Sequence, residues 1–269
     1  MRHPEEMKKA RYEAERALLL AKESSCMGAR RVSCVYWRAI IDTMDWAQGI
    51  KADYFDANSF AASSMGLPPV QQDNRIRKCV QECTKCPVSG HINKKVYGFG
   101  SPHSDLMVIG EGPGRTEDEQ GLPFVGKSGE ILDRIMYHYL QRQRGQYYVT
   151  NIVKCRVALP DQKDRAPNDE EIKACIHFLE EQIEIVRPEV ILTVGKVAGC
   201  AITGQVDAKM YTLRGKVFRY NRTPVVCTFH PAYVARNEDD AKVWGDVAQD
   251  LQLVAKILSN PEDQLDKIT

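Results

Sequence analysis

The chain has 269 residues, 43% hydrophobic and 27% charged, with a formal net charge of +1. That length suits one large α/β domain with a smaller appendage, and the near-neutral balance means any basic surface must come from local placement of Lys and Arg. No apolar run reaches the roughly 18 residues that a membrane helix needs.

The opening MRHPEEMKKARYEAERALLL mixes charges and lacks a signal-type apolar segment, so a cytoplasmic location is expected. Residues 4–66 are predicted to be helical. Pro4 suits a first turn, and Met7, Ala10, Ala14, Ala17, Leu18 and Ala21 recur at helical spacing. A second segment puts Val35, Ala39, Ile40 and Met44 on one face, and a short third helix is expected over 56–65. Gly66-Leu67-Pro68-Pro69, followed by Gln71-Gln72-Asp73-Asn74, reads as a linker. The expected division is a helical N-terminal extension, residues 1–70, and a second domain, residues 71–269.

From Asp105 onward apolar strands alternate with amphipathic helices. DLMVIG (105–110), YYVTNIVKC (147–155), EVILTVG (189–195) and PVVCTFH (224–230) are the expected strands, with VFRY (217–220) a lesser one. Helices are expected over 129–143, 167–186, near 197–202 and over 241–258, with Asn168 and Glu171 forming a capping box. Such alternation implies a mostly parallel sheet with helices on both faces. Ligands then bind at the carboxyl ends of the strands, where 110–114, 150–155, 195–196 and 230–234 fall.

Two glycine patterns are decoys. Gly121 to Ser128, GLPFVGKS, matches the phosphate-loop pattern G-x-x-x-x-G-K-[ST]. A phosphate loop leaves its strand directly, however, and here Arg115, Glu117, Asp118 and Glu119 intervene. The Gly110-x-Gly112-x-Gly114 spacing is too short for a dinucleotide fingerprint, and no acidic residue ends the following strand.

Taken together, G-E-G-P-G, E-D-x-x-G-x-P-F-V-G-x-S-G, T-N-x-V-K-C-R, R-x-P-x-x-E-E, L-x-x-G-K-x-A, R-G-K-V and T-F-H-P-A-Y-x-x-R resemble, in order, the motifs of the family 4, iron–sulfur, uracil-DNA glycosylases. The resemblance spans Cys83 to Arg236 and leaves the N-terminal extension outside. It implies a three-layer α/β/α fold around a central, mostly parallel four-stranded sheet. It also implies an enzyme that flips a pyrimidine out of DNA and hydrolyses its N-glycosidic bond, with uracil as the default base.

The site residues follow from that resemblance. Taken alone, Phe124 reads as core, Asn151 as a turn cap and His230 as structural. In the motif context Phe124 stacks on the base, Asn151 reads O4 and N3–H, and His230 hydrogen-bonds O2 as negative charge develops there. Glu111 is the candidate to activate the water, with Gly110, Gly112, Pro113 and Gly114 shaping the same pocket. Glu117 matches the position that screens against a 5-methyl group, and Gly114 leaves the C5 side roomier than an aromatic would. Residues 231–236 resemble the minor-groove loop, with Tyr233 and Val234 as candidate wedges and Arg236 as a groove or phosphate contact. Lys127, with Lys154, Lys196, Arg214 and Lys216, could meet phosphates.

The nine cysteines of a chain read as cytosolic favour metal or cluster ligation over disulfides. Cys83-x-x-Cys86 is a ligand pair, and the resemblance aligns Cys155 and Cys175 as the third and fourth ligands of a [4Fe–4S] cluster. Zinc is the alternative for four thiolates, and Cys79 a spare ligand. The cluster's expected task is structural, and the expected state is a monomer that binds DNA and no membrane, the extension's partner being unknown. Two other readings stay open. One is the same reaction on a bulky, for example glucosylated, pyrimidine of phage DNA in antiviral defence, suggested by the extension, the long loop at 158–165 and the open Gly114 side. The other is a non-enzymatic DNA-binding module on the same scaffold.

Overall fold

The computed structural model describes residues 67–260 apart from 87, 89–91, 160 and 162. The helices expected within 4–66 lie outside the described residues. The expected linker over 71–74 is instead part of a helix, α1 (Pro69–Glu82). Pro69 takes the first turn, where a missing N–H costs nothing, and Asp73, Ile76 and Val80 form one buried stripe.

Five strands make the sheet: β1 (Leu106–Gly110), β2 (Tyr148–Asn151), β3 (Val190–Val194), β4 (Val217–Tyr220) and β5 (Thr223–Thr228), in the order β2-β1-β3-β5-β4. The four parallel strands are those expected. VFRY joins as an antiparallel edge, so the sheet has five strands rather than four. Every residue of β1, β2 and β3 is buried, as a sheet covered on both faces requires.

The covering helices are α2 (Arg115–Gln120), α3 (Lys127–Leu140), α4 (Asp169–Val186), α5 (Lys196–Thr203), α6 (Met210–Leu213), α7 (Pro231–Arg236) and α8 (Ala241–Ser259). Along β1 the side chains alternate. Leu106 and Val108 join a core with Leu132 and Ile135 of α3 and Val247 and Leu251 of α8. Truncating any of these buried aliphatics to alanine costs roughly 2–5 kcal/mol. The expected capping box is present: Glu171 N–H donates to Asn168 Oδ1 at 2.8 Å and Asn168 N–H to Glu171 Oε2 at 2.8 Å. No helix among the described residues is long and apolar enough to cross a membrane.

This topology fixes where a ligand can go. From β1 the chain steps to β2 on one side, then crosses back to β3 on the other, which opens a crevice at the carboxyl ends of β1 and β3.

Candidate active site

The sheet delivers the site residues to one edge. Gly110 closes β1 and is paired in register with Asn151, the last residue of β2. His230 follows β5 and packs against Gly195 at the end of β3, where a Cβ would lie 3.0 Å from His230 Cβ. Phe124 comes from the turn between α2 and α3. Its ring centroid lies 6.4 Å from that of His230, at an interplanar angle of 32°.

Gly110 marks where ring and amide meet. A Cβ there would fall 2.4 Å from Phe124 Cζ and 2.5 Å from Asn151 Oδ1, so only glycine fits between them. Phe124 therefore neighbours both His230 and, across Gly110, Asn151. Asn151 is 2% exposed and its Oδ1 has no hydrogen-bond partner. A buried amide oxygen left without a donor is costly unless a ligand supplies one.

The turn carrying Phe124 is held by groups that outnumber its strain. Phe124 has φ 53°, a left-handed conformation costly for an aromatic residue. Arg144 donates to the carbonyls of Pro123, at 2.9 Å, and of Phe124, and is itself anchored on Asp133 Oδ1 at 2.6 Å. The backbone of Phe124 runs so close to α3 that a Cβ on Gly129 would strike its carbonyl. On the far side, Glu117 Oε1 accepts the N–H groups of Val125 and Gly126, both at 2.9 Å. Glu117 thus clamps the turn that presents the ring. Sequence reading missed Arg144, because nothing local in Gln143-Arg144-Gly145 indicates which carbonyls the guanidinium reaches.

The literal phosphate-loop match resolves structurally. Lys127 and Ser128 open α3, but α2 separates them from β1, and the intervening turn is spent on holding Phe124.

His230 is the N-cap of α7, and its Nδ1 accepts the N–H of Ala232 at 3.1 Å. Burial first, then the charge of Arg236, pushes the imidazole down to about 4, against an opposing pull from Glu117. The ring is therefore neutral near pH 7, with its proton on Nε2. Glu111, half-buried beside Gly110, has its carboxyl raised by burial. Pro113 is buried, and Gly112 abuts Val153 of the segment after β2.

The Gly114 side is not the roomy one expected. Glu117 Oε2 lies 2.9 Å, and Asp164 Oδ2 3.6 Å, from where a Cβ on Gly114 would stand. Asp164 comes from the long 158–165 loop, which folds back through an Ala158–Asp164 bridge and pairs Asp164 Oδ1 with Arg156 Nε at 2.6 Å. The carboxylates of Glu117 and Asp164 occupy the side of Gly114 that was expected to be open.

Residues 231–236 form a short helix rather than a loop, because Pro231 at the first position and the His230 cap favour one. Val234 is 0% exposed and belongs to the core, so it cannot be a wedge. Tyr233 is half-buried with its ring 4.8 Å from Phe229, while Arg236 and Lys127 are exposed. Among the other cations, Lys196 and Lys216 are exposed. Lys154 is buried, and Arg214 is paired with Asp246 and Asp250, so neither is available to a phosphate.

The four expected cysteine ligands are gathered from three segments. Burial, then the neighbouring Cys175, Cys86 and Cys83, pushes the Cys155 thiol up to about 12. Burial is likewise the first cause raising Cys175, with Cys83 and Cys86 adding to it. Cys79, on α1 four residues before Cys83, is raised by burial, then by Glu181 and Glu82. No set of three or more His, Cys, Asp or Glu among the described residues has the spacing for a single metal ion.

A buried phenyl ring, an amide oxygen without a partner and a neutral imidazole thus meet at the carboxyl edge of the parallel strands. The uracil DNA glycosylase superfamily model matches residues 97–252. A type-4 uracil-DNA glycosylase of Saccharolobus solfataricus is 34% identical over 70% of this chain and 87% of its own length. One from Thermotoga maritima is 37% identical over 61% of this chain and 84% of its own, and one from Sulfurisphaera tokodaii 32% identical over 70% and 86%. The chain belongs to the uracil DNA glycosylase superfamily.

Proposed function

We propose that the protein is a monofunctional DNA glycosylase that extrudes uracil from DNA and hydrolyses its N-glycosidic bond, leaving an abasic site. The observation that carries this reading is the unpartnered Oδ1 of Asn151 beside the Phe124 ring above Gly110. Uracil N3–H is a donor of the kind that oxygen lacks, and a flat ring fills the space beside the phenyl group.

The chemistry follows from the neighbours. Breaking the glycosidic bond leaves negative charge on the base and positive charge on the sugar. The neutral Nε2–H of His230 is the donor for O2 as that charge grows, and such a donor is worth about 10²–10³ in rate. Glu111 orients or activates the water. Burial raises its carboxyl, which makes it a stronger base than an ordinary surface carboxylate. Gly110, Gly112, Pro113 and Gly114 line the approach, and Glu117 acts by clamping the Phe124 turn. Lys127 and Arg236, both exposed, would meet DNA phosphates, with Tyr233 as the remaining candidate wedge.

Cys83, Cys86, Cys155 and Cys175 would hold a [4Fe–4S] cluster. The all-thiol donor set fits, because each iron of a cluster would take one cysteine thiolate and the four need not meet at single-ion spacing. Bound there, it supplies a covalent tie between the segment before β1 and the segments carrying Cys155 and Cys175. Hydrolysis itself moves no electrons, so these cysteines stabilise the site and take no part in bond cleavage.

The protein is expected to act as a cytoplasmic monomer, with residues 1–70 as a separate extension. The deciding assay incubates it with uracil-containing duplex, uracil-containing single strand and glucosylated phage DNA, then scores alkali-labile sites. Cleavage of the uracil substrates is expected, and its absence would overturn this reading. The carboxylates around Gly114 leave the bulky-base alternative without structural support.

A further inference from the structure

Lys154 is 1% exposed. A lysine that far from water needs every donor met, and Lys154 has all three. Its Nζ donates to Gln182 Oε1 at 2.6 Å, to the Asn151 carbonyl at 2.7 Å and to Thr150 Oγ1 at 2.9 Å. No carboxylate is among these acceptors. A core seeking stability alone does better with an apolar side chain than with a lysine held only by neutral oxygens.

The main chain of the same residue is equally engaged. Lys154 N–H donates to Cys175 Sγ at 3.3 Å, and its carbonyl accepts the N–H of Val96 at 2.7 Å. Gln182, on α4, donates onward to the Tyr97 carbonyl and the Tyr148 hydroxyl, each at 3.0 Å. Both tyrosine hydroxyls then donate to the buried Asp73, at 2.8 and 2.9 Å. The network therefore runs from the residue that faces the pocket to the residue that offers a thiol.

We propose that Lys154 is a positioning residue that fixes Asn151 from behind and ties it to the segment bearing Cys155 and Cys175. The Lys154 Nζ grips the Asn151 carbonyl, which sets that residue's backbone and so the direction of its amide over Gly110. The Lys154 backbone fixes the Cys175 sulfur at the same time. Pocket geometry and cluster retention then share one support. The inference rests on Asn151 reading the base, as argued above.

The test uses the intact, cluster-loaded protein and a uracil-containing oligonucleotide. Lys154→Met is expected to slow single-turnover excision about 10- to 100-fold, the scale of a misplaced contact, while the DNA Kd stays within about twofold. Visible absorbance should bleach several times faster under a chelator. A merely structural lysine would lower the unfolding temperature yet leave the excision rate, measured well below that temperature, and the bleaching at wild-type values. That result overturns the proposal. If Lys154→Met does not fold, Gln182→Leu removes one acceptor and should show the same split, and wild-type rate and bleaching there also overturn it. Should the wild-type protein excise no uracil, the functional reading falls. The bleaching comparison still decides whether the Lys154 side chain supports the cysteine segment, since unchanged bleaching in Lys154→Met refutes that support.

Discussion

Nδ1 of His230 accepts the backbone N–H of Ala232 at 3.1 Å, which leaves Nε2 as the ring's only protonated nitrogen. The direction in which this imidazole can donate is thus built into the cap of α7.

A pH consequence follows. The folded-state pKa of about 4 lies below the usual imidazole value of about 6.5. As pH falls through that window the unfolded chain takes up a proton that the folded one refuses. His230's contribution to stability is therefore constant above about pH 6.5 and declines towards about pH 4. Thermal unfolding in His230→Asn should lose this part of the pH dependence. The excision rate should show no step near the ordinary imidazole value. His230→Ala should cost about 10²–10³ in single-turnover rate, and a profile with an inflection near pH 6.5 that His230→Ala abolishes would contradict the neutral-ring assignment.

Glu111 should account for the acid limb instead. Burial raises its carboxyl, so the ionised form is lost at a higher pH than for an exposed glutamate. Below that point excision should fall. In Glu111→Gln the residual, slower excision should be level across the same range while DNA binding is retained. An unchanged rate in Glu111→Gln would remove it from the role.

Most of the fold was legible because each β-strand announces itself as a short apolar run, and the helix over 169–186 by its cap at Asn168 and Glu171. The site residues were legible only through spaced motifs. Phe124 or His230 alone looks like core, and their convergence depends on strand order, which no local pattern encodes. Three of the readings that failed show the physical reasons. Val234 lies within a helical turn that sequence read as a loop, so its apolar side chain went inward. Lys154 looked like a surface cation, because its acceptors Thr150, Asn151 and Gln182 are partly distant in sequence. Gly114 looked open because the carboxylates filling its side come from α2 and from a loop much later in the chain.

The cysteine set makes a clean comparison. Cys155→Ser, in the buried part of the group, should give protein with little bound iron and a lower unfolding temperature. Cys79→Ser should keep wild-type iron, because Cys83, Cys86, Cys155 and Cys175 complete the ligand set without it. Iron per chain and visible absorbance read both. Iron-free wild-type protein carrying one zinc would overturn the cluster.

Gly110→Ala tests the pocket most directly. The new methyl carbon would stand 2.4 Å from Phe124 Cζ and 2.5 Å from Asn151 Oδ1, well inside contact distance. The Phe124 backbone cannot yield, since Arg144 grips its carbonyl and Glu117 holds the next two N–H groups. Asn151 cannot retreat along its strand, since it is paired with Gly110 itself. The side chains must therefore rotate away from the positions that read a base. Excision is expected to fall about 10²-fold, the cost of a misplacement near 1 Å, with DNA binding through Lys127 and Arg236 preserved. Wild-type turnover in a folded Gly110→Ala protein would mean that the ring and the amide do not act on one base.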